Sequence, residues 1–177
     1  MKSFFLLLVS VAFIFAGCDK LKQTTLGAQF IQNFTIDIDE NSGTTQFNAE
    51  EVLNALSNED IADVKESIVN YGIRNIKWKV WEYAGPQEVM VSGTVRLQSL
   101  SGENLYEYVL EESNLYDLSE NPDHTDFPMT QDQKDVILAA LLNDDQIRVS
   151  ADGLVTDVPV HFVFQVVSDL TVTAEID

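Results

Sequence analysis

The tightest constraint on this chain is a repeated period of two. Val160, Phe162, Phe164 and Val166 fall on alternate residues, as do Phe34, Ile36 and Ile38, the latter interleaved with Thr35, Asp37 and Asp39. Successive side chains of a strand point to opposite faces, so such runs predict half-buried strands. Residues 73–83 and 88–98 carry the same period on either side of Ala84-Gly85-Pro86-Gln87, a pattern expected of a hairpin. Setting Tyr83 against Glu88 places Val80 opposite Val91, Trp78 opposite Gly93 and Ile76 opposite Val95. That register buries one consistent face and lays a large ring over a glycine.

Helical spacing interrupts the strands at three places. Ala49, Val52, Leu53 and Leu56 follow Asn48, with Glu51 three residues on, an arrangement that resembles a capping box. Ile61, Val64 and Ile68 continue at helical spacing after a break at Ser57-Asn58, so two short helices are expected to end near Tyr71-Gly72. Thr130 with Gln133 caps a third helix over 131–142, whose VILAALL run predicts burial on most sides. Residues 105–118 read ambiguously. Strands are expected over 146–150, 159–167 and 170–176, with Pro159 at a strand start or edge because it lacks an amide hydrogen. Strands dominate, and their order predicts a mainly β (α+β) fold, an antiparallel β-sandwich with short helices inserted.

The only cysteine, Cys18, follows an apolar run from Phe4 to Ala16 that is broken only by Ser10 and preceded by Lys2. Thirteen such residues fall short of the roughly 20 that span a bilayer, and a secretory signal fits better. Phe15-Ala16-Gly17-Cys18 resembles the lipobox of bacterial lipoproteins, with Phe15 where Leu is usual. The resemblance implies a diacylglyceryl group on Cys18, cleavage before it and acylation of the new amine. It divides the chain into a signal peptide at 1–17, a lipidated tether at 18–28 and a single β-rich domain at 29–177. The expected location is the bacterial cell envelope. Asp19 resembles the inner-membrane retention signal of enterobacterial lipoproteins, but other lineages read an acidic flank differently, and the outer membrane is the expected destination.

Lys and Arg total 10 against 29 Asp and Glu, a net charge of −19. Such a surface repels polyanions, which argues against nucleic acid as a ligand and against a polybasic grip on anionic lipid. The membrane is then reached through the lipid, and a further partner would be an envelope protein or a glycan.

Chemistry-bearing residues are sparse. Segment 111–126 packs Glu111, Glu112, Asp117, Glu120, Asp123 and Asp126 beside His124. Asp117, Glu120, Asp123 and Asp126 are weak candidates for calcium, which takes six to eight oxygen ligands, but their spacing fits no fixed loop and no cofactor is expected. His124 and His161 are the only imidazoles, too few for zinc and without an evident nucleophile to activate. No catalytic residue is assigned. On the outer face of the expected hairpin, Lys77, Lys79, Trp81, Tyr83 and Arg96 form a candidate partner-binding face, with Arg74 nearby. The leading expectation is a non-enzymatic, membrane-anchored binding or structural module. The alternatives are a glycan hydrolase using the acidic residues and a calcium-stabilised adhesion-type module.

Overall fold

A computed structural model describes residues 22–41 and 45–176. The described residues form eight strands: β1 (Lys22–Ile38), β2 (Gln46–Asn54), β3 (Ile68–Ala84), β4 (Met90–Gln98), β5 (Asn104–Asn114), β6 (Thr125–Asp126), β7 (Gln146–Val155) and β8 (Val160–Ile176). Among the described residues three α-helices join them, α1 (Glu59–Ala62), α2 (Leu115–Glu120) and α3 (Gln131–Asp144), with 3-10 turns at Ala55–Ser57 and Lys65–Ser67. One sheet has the order β1-β8-β3-β6 and the other β2-β7-β4-β5, with every pairing antiparallel. Only β4 and β5 are both consecutive and adjacent in one sheet; every other step in the chain crosses from sheet to sheet. Two four-stranded sheets wound in this way make a jelly roll. The antiparallel sandwich with short helices expected from the alternation is the fold observed.

The core lies between the sheets and is strongly aromatic. The Trp78 ring centroid is 5.7 Å from Phe164, 6.1 Å from Tyr108 and 6.5 Å from Phe127. Phe34 stands 6.1 Å from Phe164, and Phe127 stands 5.2 Å from Tyr108. Tilted and edge-on pairs at these separations contribute about 0.5–1.5 kcal/mol each beyond their buried area. Phe127, outside any strand, thus ties the β6 segment into both sheets.

The expected 73–83/88–98 hairpin does not form. β3 pairs with β8 and β6, whereas β4 pairs with β5 and β7. Ile76, Trp78 and Val80 are buried, as are Val91 and Val95, but the two sets belong to different sheets. The ring over a glycine also has a different owner. A Cβ on Gly153 would lie 2.6 Å from the Phe47 ring, which packs edge-on against Phe162 at 5.7 Å.

Residues 49–54 are strand instead of helix, and only Ala55–Ser57 form a 3-10 turn. Phe47, Ala49 and Leu53 alternate inward along β2, which pairs Ala49 with Ala151 and Leu53 with Ile147. Pairing with β7 overrides the local capping pattern of Asn48 and Glu51. Asn58, expected as a break, is a cap: its side chain accepts from the Ile61 amide at 3.2 Å. Only one α turn follows, then a 3-10 turn at Lys65–Ser67. The third helix is closer to expectation, since Thr130 and Gln133 form a reciprocal capping box. Its burial is narrower than expected, confined to Ile137 and Leu141, with Leu142 50% exposed. β8 runs unbroken from Val160 where two strands were expected, and Pro159 precedes it. Residues 22–28, expected in the tether, belong to β1 and pair with β8 from Lys22 onward.

Candidate functional site

The expected partner-binding face divides into three places. Lys77, Lys79 and Trp81 do alternate outward along β3, opposite Val167, Gln165 and Val163 of β8. Val163 and Val167 are only 4% and 3% exposed yet stand apart from the inter-sheet core. Their cross-strand neighbours, Trp81 with Thr35 and Lys77 with Ile31, flank them on this outer face. Lys79 Nζ lies 5.7 Å from the Trp81 ring centroid, within cation–π range. Lys77 Nζ is 3.6 Å from Asp169 Oδ2, and Asp169 also accepts from Gln29 at 2.8 Å. The Trp81 indole N–H is buried without a hydrogen-bond partner, so the ring packs as a cover and does not present its donor to a ligand.

Tyr83 leaves this face at a bulge. Glu82 has φ 53°, and the β3–β8 register shifts between Trp81 and Ala84. A bulge re-aims the residues beyond it: Tyr83 packs on the core and edge-on against Tyr116 of α2, and its hydroxyl donates to the Pro86 carbonyl at 2.5 Å. Arg96 lies on the other sheet, where its Nε donates to Glu107 at 2.9 Å and its Nη1 donates to Asp152.

The acidic segment is not a loop around one centre. Glu111 and Glu112 lie on β5, Asp117 and Glu120 on α2, and Asp126 on β6, with Asp123 in the bend between. Among the described residues no group of three or more His, Cys, Asp or Glu could hold a metal ion. His124 Nε2 is 3.1 Å from Gln165 Oε1, and Gln165 donates to Asn33 at 2.8 Å, a polar ladder across the outer face of the first sheet. His161 Nδ1 is 3.9 Å from Asp37 Oδ2. Cys18 lies outside the described residues.

A further concavity has no counterpart among the residues singled out from the sequence. It is an open groove of about 780 Å³ on the outer side of the second sheet, at the end where β2 starts and β7 finishes. Its floor is backbone: Gly93 of β4 pairs with Gly153 of β7. A Cβ on Gly93 would meet the Asp152 carbonyl at 2.5 Å, and one on Gly153 would collide with the Ser92 carbonyl. Asn48, Ser92, Thr94 and Asp152 supply polar groups, and Val109 and Leu154, 59% and 46% exposed, supply apolar contact. Asp152 is already paired with Arg96, so the groove presents neutral donors and acceptors beside two aliphatic side chains, with no imidazole in its lining. Gly93 falls within the expected 88–98 strand, where a glycine marks a close backbone approach, whereas Gly153 lies beyond the expected 146–150 strand and carries no such signal.

No family model matches the chain, and no curated protein does. The architecture is a jelly-roll sandwich. Among solved structures it is similar to Desmodium yellow mottle tymovirus, at 8% identity and TM-score 0.43, with 88% of this chain and 84% of that one covered. It is also similar to the BFDV capsid protein in its 60-mer, at 8% identity and TM-score 0.44, with 90% and 98% covered. Turnip yellow mosaic virus follows at 11% identity and TM-score 0.33, with 86% and 96% covered.

Proposed function

We propose that the chain is a lipid-anchored, non-enzymatic binding module of a bacterial envelope that holds a neutral, polyhydroxylated ligand, a glycan segment, in the groove of the second sheet. The groove carries the reading. Hydroxyl and amide side chains beside Val109 and Leu154 suit the mixed polar and apolar faces of a sugar. The groove's one carboxylate is matched by Arg96, and the net charge of −19 disfavours an anionic ligand. The lipobox resemblance of Phe15-Ala16-Gly17-Cys18 supports the anchor. Three residues, four Cα–Cα steps, separate Cys18 from the start of β1, a reach of at most about 14 Å, so an acylated Cys18 would hold that end near the bilayer. Phe47, in the groove wall, packs against Phe162 beside Ile36, some 14 residues and about 45 Å further along the strand, so the groove would lie at the end remote from the membrane.

The test is a panel of neutral envelope and surface glycans titrated into the full-length protein by calorimetry. Asn48→Ala with Val109→Glu should abolish binding while Ile31→Ser, on the other sheet, leaves it unchanged. Silence across the panel, or binding indifferent to the groove variant, overturns the ligand reading. Mass spectrometry of residue 18 from the native host checks the anchor separately, and an unmodified thiol overturns that part.

A further inference from the structure

Among the described residues, β1 lies at the edge of the first sheet and has β8 as its one strand neighbour. It is 17 residues long, and a strand edge of that length offers a row of unpaired amides and carbonyls to any passing strand. Folded proteins defend such edges with charge, proline or bulges. β1 has none of these over the 14 residues from Gln23 to Ile36, in a chain of which 22% is charged, and its pairing with β8 is without a register shift. Ile31 is 52% exposed. The strand always present to meet an undefended edge is its own copy.

We infer that two copies of this chain pair through β1, antiparallel about a twofold axis at Gln32, into one continuous eight-stranded sheet. A closed twofold makes the contact isologous, and residues whose numbers sum to 64 then face one another. Inner-face residues stay on the inner face, as continuity of the sheet requires. Leu26 meets Ile38, Ala28 meets Ile36 and Phe30 meets Phe34 of the copy, so apolar partners match apolar partners. Gln32 meets itself. Its side chain is 5% exposed, and its Oε1 is buried with no hydrogen-bond partner; the facing carboxamide brings the N–H that each oxygen lacks.

On the outer face the nearest charge, Asp37, falls opposite Gly27 of the copy. The Arg74 guanidinium reaches to 3.7 Å from where a Gly27 side chain would begin, so Asp37 of the copy arrives beside it, twice by symmetry. Elsewhere two bodies of −19 repel. Along β1 they meet through uncharged residues and two matched pairs.

The experiment uses the full chain in detergent with Cys18→Ser, so that an acyl chain cannot hold molecules together and failure of the anchor reading leaves the result intact. Analytical ultracentrifugation should give twice the monomer mass. Ile31→Lys should return the monomer with an unchanged melting temperature, and Leu154→Lys on the opposite sheet should remain dimeric. Arg74→Glu should weaken the dimer at least tenfold, with Asp37→Arg in the same chain restoring it. Chains carrying Ile31→Cys mixed with chains carrying Asn33→Cys should form a mixed disulfide under mild oxidation, fixing the register. A monomer up to millimolar concentration overturns the inference, as does a dimer broken by Leu154→Lys and not by Ile31→Lys. Crosslinking from residue 31 in cells to a different polypeptide would overturn it too and give the edge to a foreign strand.

Discussion

One aspartate closes the lower end of the sandwich. Asp145 ends α3 in the left-handed conformation at φ 55°. Its carboxylate accepts from the Tyr71 hydroxyl at 2.8 Å and lies 3.6 Å from Lys65 Nζ, and its carbonyl accepts from the Ala55 amide at 2.8 Å. Burial, then the Asp145 hydrogen bond and charge, push the Tyr71 phenol well above its usual 10.0. A raised pKa means that the neutral phenol's contribution is complete below pH 10 and lost as pH climbs beyond it. Tyr71→Phe should therefore cost about 1–2 kcal/mol near neutrality, read as a lower urea midpoint, and the gap to wild type should narrow above pH 10. A gap that widens there would remove this role for the phenol. None of this is legible in the sequence, where helical spacing runs up to Tyr71 and its partner is 74 residues away.

Elements were legible where their signals are local. The Thr130–Gln133 box lies within four residues, and the helix it caps was found at its start. Phe34, Ile36 and Ile38 declared their strand. β2 is ambiguous in the sequence because Ala49, Leu53 and the residues between satisfy two periods at once, and only the facing strand β7 decides between them. The 73–83 and 88–98 runs show the commonest ambiguity of a sandwich: alternation reports which face is buried, not whether the neighbour lies beside it or across the core. The pattern groups Arg96 with Lys77 and Trp81 for that reason, and it hides the groove because the floor is a pairing of glycines 60 residues apart. Gly153→Ala tests how tightly that floor is built. Its Cβ would press on the Ser92 carbonyl and the Phe47 ring, forcing β4 from β7 and lowering stability by about 1–3 kcal/mol, measured by thermal unfolding. Indifference to the methyl group would mean that the strands part easily there.

At the scale of the whole molecule, charge opposes compactness. Among the described residues a body of −19 carries few ion pairs, and partly exposed ones such as Arg96 with Glu107 at 2.9 Å contribute about 0–1 kcal/mol each. Raising ionic strength to about 0.15 M shortens the screening length to about 8 Å. It should weaken the long-range repulsion more than the close pairs, so the melting temperature should rise with sodium chloride. A fall would show that the pairs outweigh the repulsion. The sandwich class followed from composition of strands along the chain, but sheet membership did not, since the jelly-roll winding sends nearly every strand away from its neighbour in sequence.

The chain has two tryptophans, three positions apart on opposite sides of β3. Trp78, 4% exposed among aromatic rings, and Trp81, under Lys79 on the outer surface, make the protein its own pair of optical reporters. Replacing either with phenylalanine leaves the other to emit alone. A ligand, a membrane or a second subunit that settles on the outer surface would then register in one colour of light, and loosening of the interior in the other.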